Sequence, residues 1–309
     1  MSVGHTSSVC GALRFIAALA FALWTSVAAG QELEPRALSP APVGTTFFLT
    51  GFGNVRGAVV VDPTIPIQDI EADLSTALVA GGYTFALWGR QARVLVLQPY
   101  VWGSFSSEIG GEEQSRALNG LLDPRFKFSV GLVGAPALMP EEFARTPRHT
   151  VIGASLTVIA PAGEYDSTRR FNLGFNRWGF KPEIGVWHPM GRWTFEGSAG
   201  VWFYTINDSY FPGTTERTQD PFVALQAHVS YTFGSGAWIG LDGTWFSGGQ
   251  THVNGIALPD RQNSTRLGAT LSLPMSREQS LKFIYSTGLA TRRGADFDTF
   301  VVLWQLVMS

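Results

Sequence analysis

Charge is scarce in this chain of 309 residues. Asp, Glu, Lys and Arg make up 15% of it, against about 25% in ordinary soluble domains. Cysteine is nearly absent. The single one, Cys10, lies within the first thirty residues, so the remainder forms no disulfide, no thiolate metal site and no cysteine nucleophile. Positive charge is not in excess either. With 22 basic against 24 acidic residues and a net charge of -2, nothing implies a nucleic-acid partner. Beyond His5, the histidines His149, His188, His228 and His252 are scattered with no ligand spacing, so no metal centre is expected. No glycine-rich loop stands in a strand-turn-helix context, and no cofactor is expected. After residue 30 there is no run of about 18 apolar residues, which argues against a membrane-spanning helix.

What the chain does have is glycine, aromatic residues and a high apolar content: 35 Gly, 13% aromatic and 45% hydrophobic. A chain that is apolar in total yet nowhere continuously apolar fits a membrane β-barrel. Its first thirty residues read as a separate segment. Arg14 is followed by the apolar run Phe15 to Val27 and the small residues Ala28, Ala29 and Gly30, the pattern of a cleaved signal peptide. Residues 31–44 hold Pro35, Pro40 and Pro42 and read as an extended periplasmic leader. The barrel is expected over 45–309.

Period-two alternation predicts about twelve strands. They are Thr45–Val55, Ile70–Leu87, Ala92–Ser104, Pro124–Gly134, His149–Ala160 and Asn176–His188, then Arg192–Thr205, Asp220–Phe233, Ala237–Ser247, Asn263–Leu273, Gln279–Gly288 and Phe297–Met308. Every second junction is short, as at Trp88-Gly89-Arg90-Gln91 and Pro189-Met190-Gly191. The others, such as 105–123, 161–175, 206–219 and 248–262, are long and polar. Short periplasmic turns opposite long external loops are the pattern of an antiparallel up-and-down outer-membrane barrel. Residues 135–148 break the rule on the short side, with a helical turn expected at Pro140–Arg145. Trp178 and Trp187, and likewise Trp193 and Trp202, stand nine residues apart. At a tilted strand rise this is roughly 23 Å, the height of the band between two aromatic girdles.

The hairpin from Arg177 to Phe203 displays the face assignment most clearly. Trp193, Phe195, Val201 and Phe203 alternate with Thr194, Glu196 and Ser198; Trp178, Phe180 and Ile184 alternate with Arg177, Lys181 and Glu183. A Lys or Arg facing lipid at mid-membrane costs about 2–4 kcal/mol, so the charged face is placed inside. The same parity makes Arg125, Lys127, Arg177, Lys181, Glu183, Glu196, His228, Asp242, Arg266 and Lys282 the candidate lumen-lining residues. Leu74–Leu97 is apolar on both faces over part of its length, and its orientation stays open. Pro182, mid-strand without a ladder donor, predicts a bulge or local opening.

The run D-P-R-F-K-F-S-V-G-L-V-G-A-P-A-L-M-P-E-E-F at Asp123–Phe143 and the run I-G-A-S-L-T-V-I-A-P-A-G-E-Y-D at Ile152–Asp166 resemble the meta-pathway phenol degradation-like family of outer-membrane proteins. So do N-R-W-G-F-K-P-E-I-G-V at Asn176–Val186, H-V-S-Y-T-F at His228–Phe233 and R-L-G-A-T-L-S-L-P at Arg266–Pro274. The resemblance covers most of the chain after the leader. It implies an outer-membrane barrel, described as a transporter and associated with aromatic degradation, with no catalytic residues to carry over.

Taken together, these features lead to the expectation of a non-enzymatic barrel that passes small, aromatic or hydrophobic molecules. Its partners would be the solute, outer-membrane lipid and lipopolysaccharide; Glu108, Glu112 and Glu113 read first as a solvated loop, and second as bridges to lipopolysaccharide through divalent ions. Two alternatives stand beside it. The lumen charges could pair and close the barrel, or His228 and Ser230, on one strand face, could serve a lipid hydrolase. Tyr100, Trp102, Trp202 and Tyr204 are expected near the outer rim, as an interfacial belt or a greeting site for aromatic solutes.

Overall fold

The computed structural model describes residues 35–59, 68–109, 112–168, 172–291 and 295–309. Residues 1–30, expected to be a signal peptide, residues 31–34 of the leader and the side chains of Glu108, Glu112 and Glu113 lie outside the described residues.

All twelve strands expected from the sequence form. They are β1 (Thr46–Val59), β2 (Gln68–Leu87), β3 (Arg90–Ile109), a divided strand made of β4 (Glu112–Leu121) and β5 (Arg125–Val133), β6 (Val151–Ile159), β7 (Gly179–Met190) and β8 (Trp193–Tyr204), followed after two short strands by β11 (Phe222–Thr232), β12 (Trp238–Gly248), β15 (Gln262–Pro274), β16 (Gln279–Thr291) and β17 (Ala295–Met308). Each pairs antiparallel with its neighbours. Pairing of β1 with both β2 and β17 closes the ring and removes the seam that lipid would leave unpaired; among the described residues β4 pairs with β3 alone. The β4 and β5 segments share one place in the wall. The outer part of β3, Tyr100–Ile109, pairs with β4, and Ala92–Leu97 pairs with β5.

Three junctions expected to be long loops contain sheet instead. Most of 105–123 is the projecting hairpin of β3 and β4. In the two loops after β8 and β12, β9 (Asn207–Tyr210), β10 (Thr215–Gln219), β13 (Thr251–Val253) and β14 (Ile256–Ala257) join into a separate four-stranded antiparallel sheet. Asn254-Gly255, both at positive φ, form the two-residue turn between β13 and β14, a position that suits this dipeptide. On the opposite, periplasmic side the turns stay tight, with Trp88-Gly89 likewise at positive φ. The exception at 134–150 holds the short helix α1 (Pro140–Arg145) as expected.

The wall is apolar outside and, over much of the ring, polar inside. Phe52, Val79, Phe126, Ile184, Leu225, Leu241 and Phe300 are exposed, whereas Lys181, Thr194, Asp242, Arg266 and Thr270 are buried. In water such an exterior would be aggregation-prone; in a bilayer it matches its surroundings. The tryptophan reading needs correction. Trp178 and Trp193 do face outward, but Trp187 and Trp202 are buried inside, 3% and 1% exposed. Nine is an odd spacing, so period two sends the members of each pair to opposite faces. The outward aromatic bands arise from cross-strand neighbours instead. Phe52, Trp102 and Tyr100 meet near the outer end, and Trp193, Tyr231 and Phe233 near the periplasmic end.

Pro182 opens the ladder locally. On the β8 side, Phe180 pairs with Phe203 and Glu183 with Gly200, leaving Lys181 and Pro182 without rungs but with no register shift. On the β6 side pairing is continuous, Lys181 with Thr157 and Pro182 with Leu156. Pro182→Val is expected to restore the missing rungs and to stabilise the barrel by about 1 kcal/mol. Heat-modifiable gel migration would record it as a later transition; an unchanged transition would assign the gap to another cause.

Candidate functional site in the barrel interior

The interior encloses a cavity of about 590 Å³, with two different walls. One, built by β1, β2, β3 and β17, presents Phe47, Leu49, Leu78, Ala80, Leu95, Leu97, Val301 and Leu303. This explains why Leu74–Leu97 reads as apolar on both faces: its outer face meets lipid and its inner face is a greasy lumen wall. The other wall, built by β5 to β8, carries Arg125, Lys127, Lys181, Glu183 and Glu196.

The leader enters this space from the periplasmic rim. Val43 donates its backbone N–H to Leu138 O at 2.8 Å and Gly44 to Thr84 O at 2.9 Å. Deeper in, Ala41 N–H reaches Gln91 Oε1 at 3.0 Å, while Arg93 donates to Ala37 O at 3.0 Å and Ser39 O at 2.9 Å. Leu38 packs on the small cluster of Ala135, Val151 and Trp187. Glycine makes room for it: a Cβ on Gly185 would stand 2.7 Å from Leu38 Cδ1. At the inner tip, the Arg36 N–H donates to Glu196 Oε2 at 2.7 Å. Its guanidinium donates to Ser230 Oγ at 3.2 Å and Thr232 Oγ1 at 2.7 Å, and lies 4.3 Å from the Trp238 ring centroid. Burial pushes the Arg36 guanidinium down to about 10, with the Glu196 charge opposing, so it is a cation at neutral pH.

The carboxylates inside are engaged. Glu183 accepts from Lys181 Nζ at 3.0 Å and Ser155 Oγ at 3.3 Å, and stands 3.8 Å from Lys127 Nζ. Asp242 meets His228 Nδ1 at 2.7 Å and accepts from Thr270 Oγ1 at 2.8 Å. Ser230 is turned to Arg36, and no hydrogen bond between His228 and Ser230 occurs among the described residues. The adjacency suggested by H-x-S is therefore not a paired nucleophile and base in this arrangement.

At the outer end, folded loops cover part of the barrel. Asp123, in the break between β4 and β5, accepts backbone N–H bonds from Gly163 and Phe175, each at 2.7 Å. It thereby ties the loop after β6 to the wall. Beneath this loop, Ile159, Trp202, Phe222, Ala224 and Phe246 form a buried apolar cluster with Phe175 and Tyr204 against it. Arg177 is buried, bonded to Gln219 Oε1 and 4.5 Å from the Tyr204 ring centroid. Asn207 Nδ2 reaches Tyr165 Oη at 3.0 Å and Phe175 O at 3.2 Å. Burial, reinforced by the nearby Arg177 charge, pushes the Arg217 guanidinium of β10 down to about 9.

The sequence from 51 to 303 matches the family described as "Putative MetA-pathway of phenol degradation". The chain belongs to that family. In structure it is similar to an outer membrane channel from Pseudomonas putida F1, with 18% identity, a TM-score of 0.72 and coverage of 90% of this chain and 100% of that one. The β domain of the Bordetella autotransporter BrkA follows at 11% identity and a TM-score of 0.52, covering 86% of this chain and 100% of that one. The transport unit of the autotransporter AIDA-I from Escherichia coli has 9% identity and a TM-score of 0.51, with 92% and 96% covered. A search of curated proteins found no match. At such identities the likeness is one of fold. The family member is a bacterial outer-membrane protein with a closed twelve-stranded barrel.

The residues picked out by strand parity divide into three groups. Arg125, Lys127, Lys181, Glu183, Glu196, His228 and Lys282 border the cavity. Asp242 and Arg266 are buried in the wall, Arg266 bonded to Ser286 Oγ and Phe297 O at 3.1 Å. Arg177 belongs to the outer closure. Tyr100 and Trp102 face outward while Trp202 is buried inside beside Tyr204, so these four aromatics form no common rim site. Arg36 and Arg93, central to the leader's seat, escaped sequence reasoning. Arg93 could have been noticed as the lone cation of the expected strand Ala92–Ser104, whereas Arg36 lies in a segment with no period to read.

Proposed function

We propose that this barrel passes small molecules, aromatic or hydrophobic in character, passively across the outer membrane and performs no chemistry on them. The observation that carries the reading is the roomy interior cavity with one apolar wall, a feature a purely structural barrel has no need of. The family's association with phenol degradation, and the description of the Pseudomonas putida relative as a channel, support it. In this reading residues 1–30 direct export, the outward apolar band meets outer-membrane lipid, and the external hairpins meet lipopolysaccharide. The charged and imidazole side chains bordering the cavity line the route. Liposome swelling over a panel of neutral and aromatic solutes tests it. Aromatic solutes should enter faster than sugars of similar mass. Rates equal to those of protein-free liposomes for every solute would overturn the proposal. A closed barrel is the second reading, favoured by the leader's many contacts inside the lumen.

A further inference from the structure

Three periplasmic turns carry large apolar side chains at their tips. Trp88, between β2 and β3, is 90% exposed, Met275, between β15 and β16, 64%, and Met190, at the end of β7, 55%. Trp193 pairs with Met190 across the turn and shares its outward face. Trp88 also sits at a φ of 50°, a conformation that suits asparagine or glycine and strains a bulky side chain. Neither the turn nor internal packing asks for tryptophan there, and a residue held against such a cost points to a contact outside the fold.

An exposed arginine follows each apolar tip at the same spacing: Trp88-Gly89-Arg90, Met190-Gly191-Arg192 and Met275-Ser276-Arg277. Arg90 donates to Leu132 O. None of the three forms an ion pair among the described residues, although Glu278 adjoins Arg277 in sequence. An apolar body beside a guanidinium suits a membrane interface, the one entering the acyl boundary and the other staying among the headgroups. The depth agrees: Met190 lies beside the band of Trp193, Tyr231 and Phe233, and Trp88 stands just beyond Phe85, which packs on the outward Phe128. Placement around the ring then selects the partner. Strands β3, β5, β6 and β7 lie between the first and second turns, β8, β11, β12 and β15 between the second and third, and β16, β17, β1 and β2 complete the circle. The three turns are thus spread evenly over the rim. A protein partner would need one contiguous patch, whereas an annulus of lipid meets all three at once.

We propose that the periplasmic rim is a docking surface for anionic phospholipid headgroups, with Trp88, Met190, Trp193 and Met275 in the interface and Arg90, Arg192 and Arg277 on the phosphates. A zwitterionic headgroup brings its own ammonium to the phosphate, so a headgroup of net negative charge answers the arginines better. The inference is independent of the passage reading. Electron spin resonance of the full chain in phosphatidylcholine vesicles, with trace spin-labelled phosphatidylglycerol or spin-labelled phosphatidylcholine, tests it through the lipid fraction immobilised at the barrel surface. Phosphatidylglycerol should be held severalfold more strongly than phosphatidylcholine. The preference should shrink in high salt and largely vanish in Arg90→Gln/Arg192→Gln/Arg277→Gln, whose folding is checked by heat-modifiable migration. Equal immobilisation of the two lipids by the intact chain would overturn the proposal and leave the rim to water or a protein partner. A folded triple variant with undiminished preference would overturn it as well, by assigning the selectivity to another part of the barrel.

Discussion

Removal of residues 35–40 with Ala41–Thr45 kept in place is expected to raise single-channel conductance in planar bilayers severalfold. The leader occupies the periplasmic half of the lumen, bordering the same cavity that a solute would cross. Its hold is polar and specific, and none of the described leader residues is part of a barrel strand. Arg36 makes bonds to Ser230 and Thr232 and a ring contact with Trp238. Bonds to a charged group contribute about 1.5–3 kcal/mol each, and a cation–π contact about 0.5–2 kcal/mol. Arg93 adds two bonds to leader carbonyls. Arg36→Ala should therefore loosen the tip while the rim bonds at Val43 and Gly44 remain, giving a flickering conductance between the intact and truncated levels. Since β1 begins at Thr46 and keeps its partners β2 and β17, the barrel itself should survive the truncation. If the intact and truncated chains conduct equally, the leader does not obstruct the route. If both are silent, the closed-barrel reading prevails.

Asp123→Ala should have the largest effect on stability, on the order of 3–6 kcal/mol from two lost charge-assisted bonds and the donors left behind. The carboxylate is buried, and its two oxygens each take one backbone N–H, from Gly163 and Phe175. Those residues belong to the loop that covers the cluster around Trp202 and Phe222. Without the acceptor, two partly buried N–H groups lose their partner, and the loop would leave the wall. The barrel ladders do not depend on it, so the loss should appear as earlier proteolysis within 160–178 and a lower unfolding temperature, while strand content by circular dichroism stays intact. Asp123→Asn should lose roughly half as much, because one oxygen remains an acceptor while the amide nitrogen faces a donor. A protease-resistant loop in Asp123→Ala would refute this role.

The candidate site was only partly legible in advance. Arg125, Lys127, Lys181, Glu183, Glu196 and Lys282 could be assigned inward because a charge on the wrong face would meet lipid, a penalty set by parity alone. Their partners could not be assigned, since Lys127 and Glu183 meet across two strand spacings. The apolar lumen wall defeated the same logic. Where both faces are greasy, period two carries no sign, and Leu95 and Leu97 point inward as readily as Val94 and Val96 point outward. The tryptophan spacing misled because distance was read without parity.

By itself, the sequence determined the number of strands in the ring, the central part of each, the alternation of short and long connections, and the local opening at Pro182. Each of these follows from near neighbours: a period of two, the turn residues, a missing N–H. Only the tertiary structure decided where the leader sits, which external segments join into the four-stranded sheet, and which tryptophans turn inward to pack. The Arg36 bond to Glu196 spans 160 positions of chain, and the outer sheet joins residues of two separate loops. No local pattern encodes such contacts, because they exist only once ring closure has brought distant strands to face one interior.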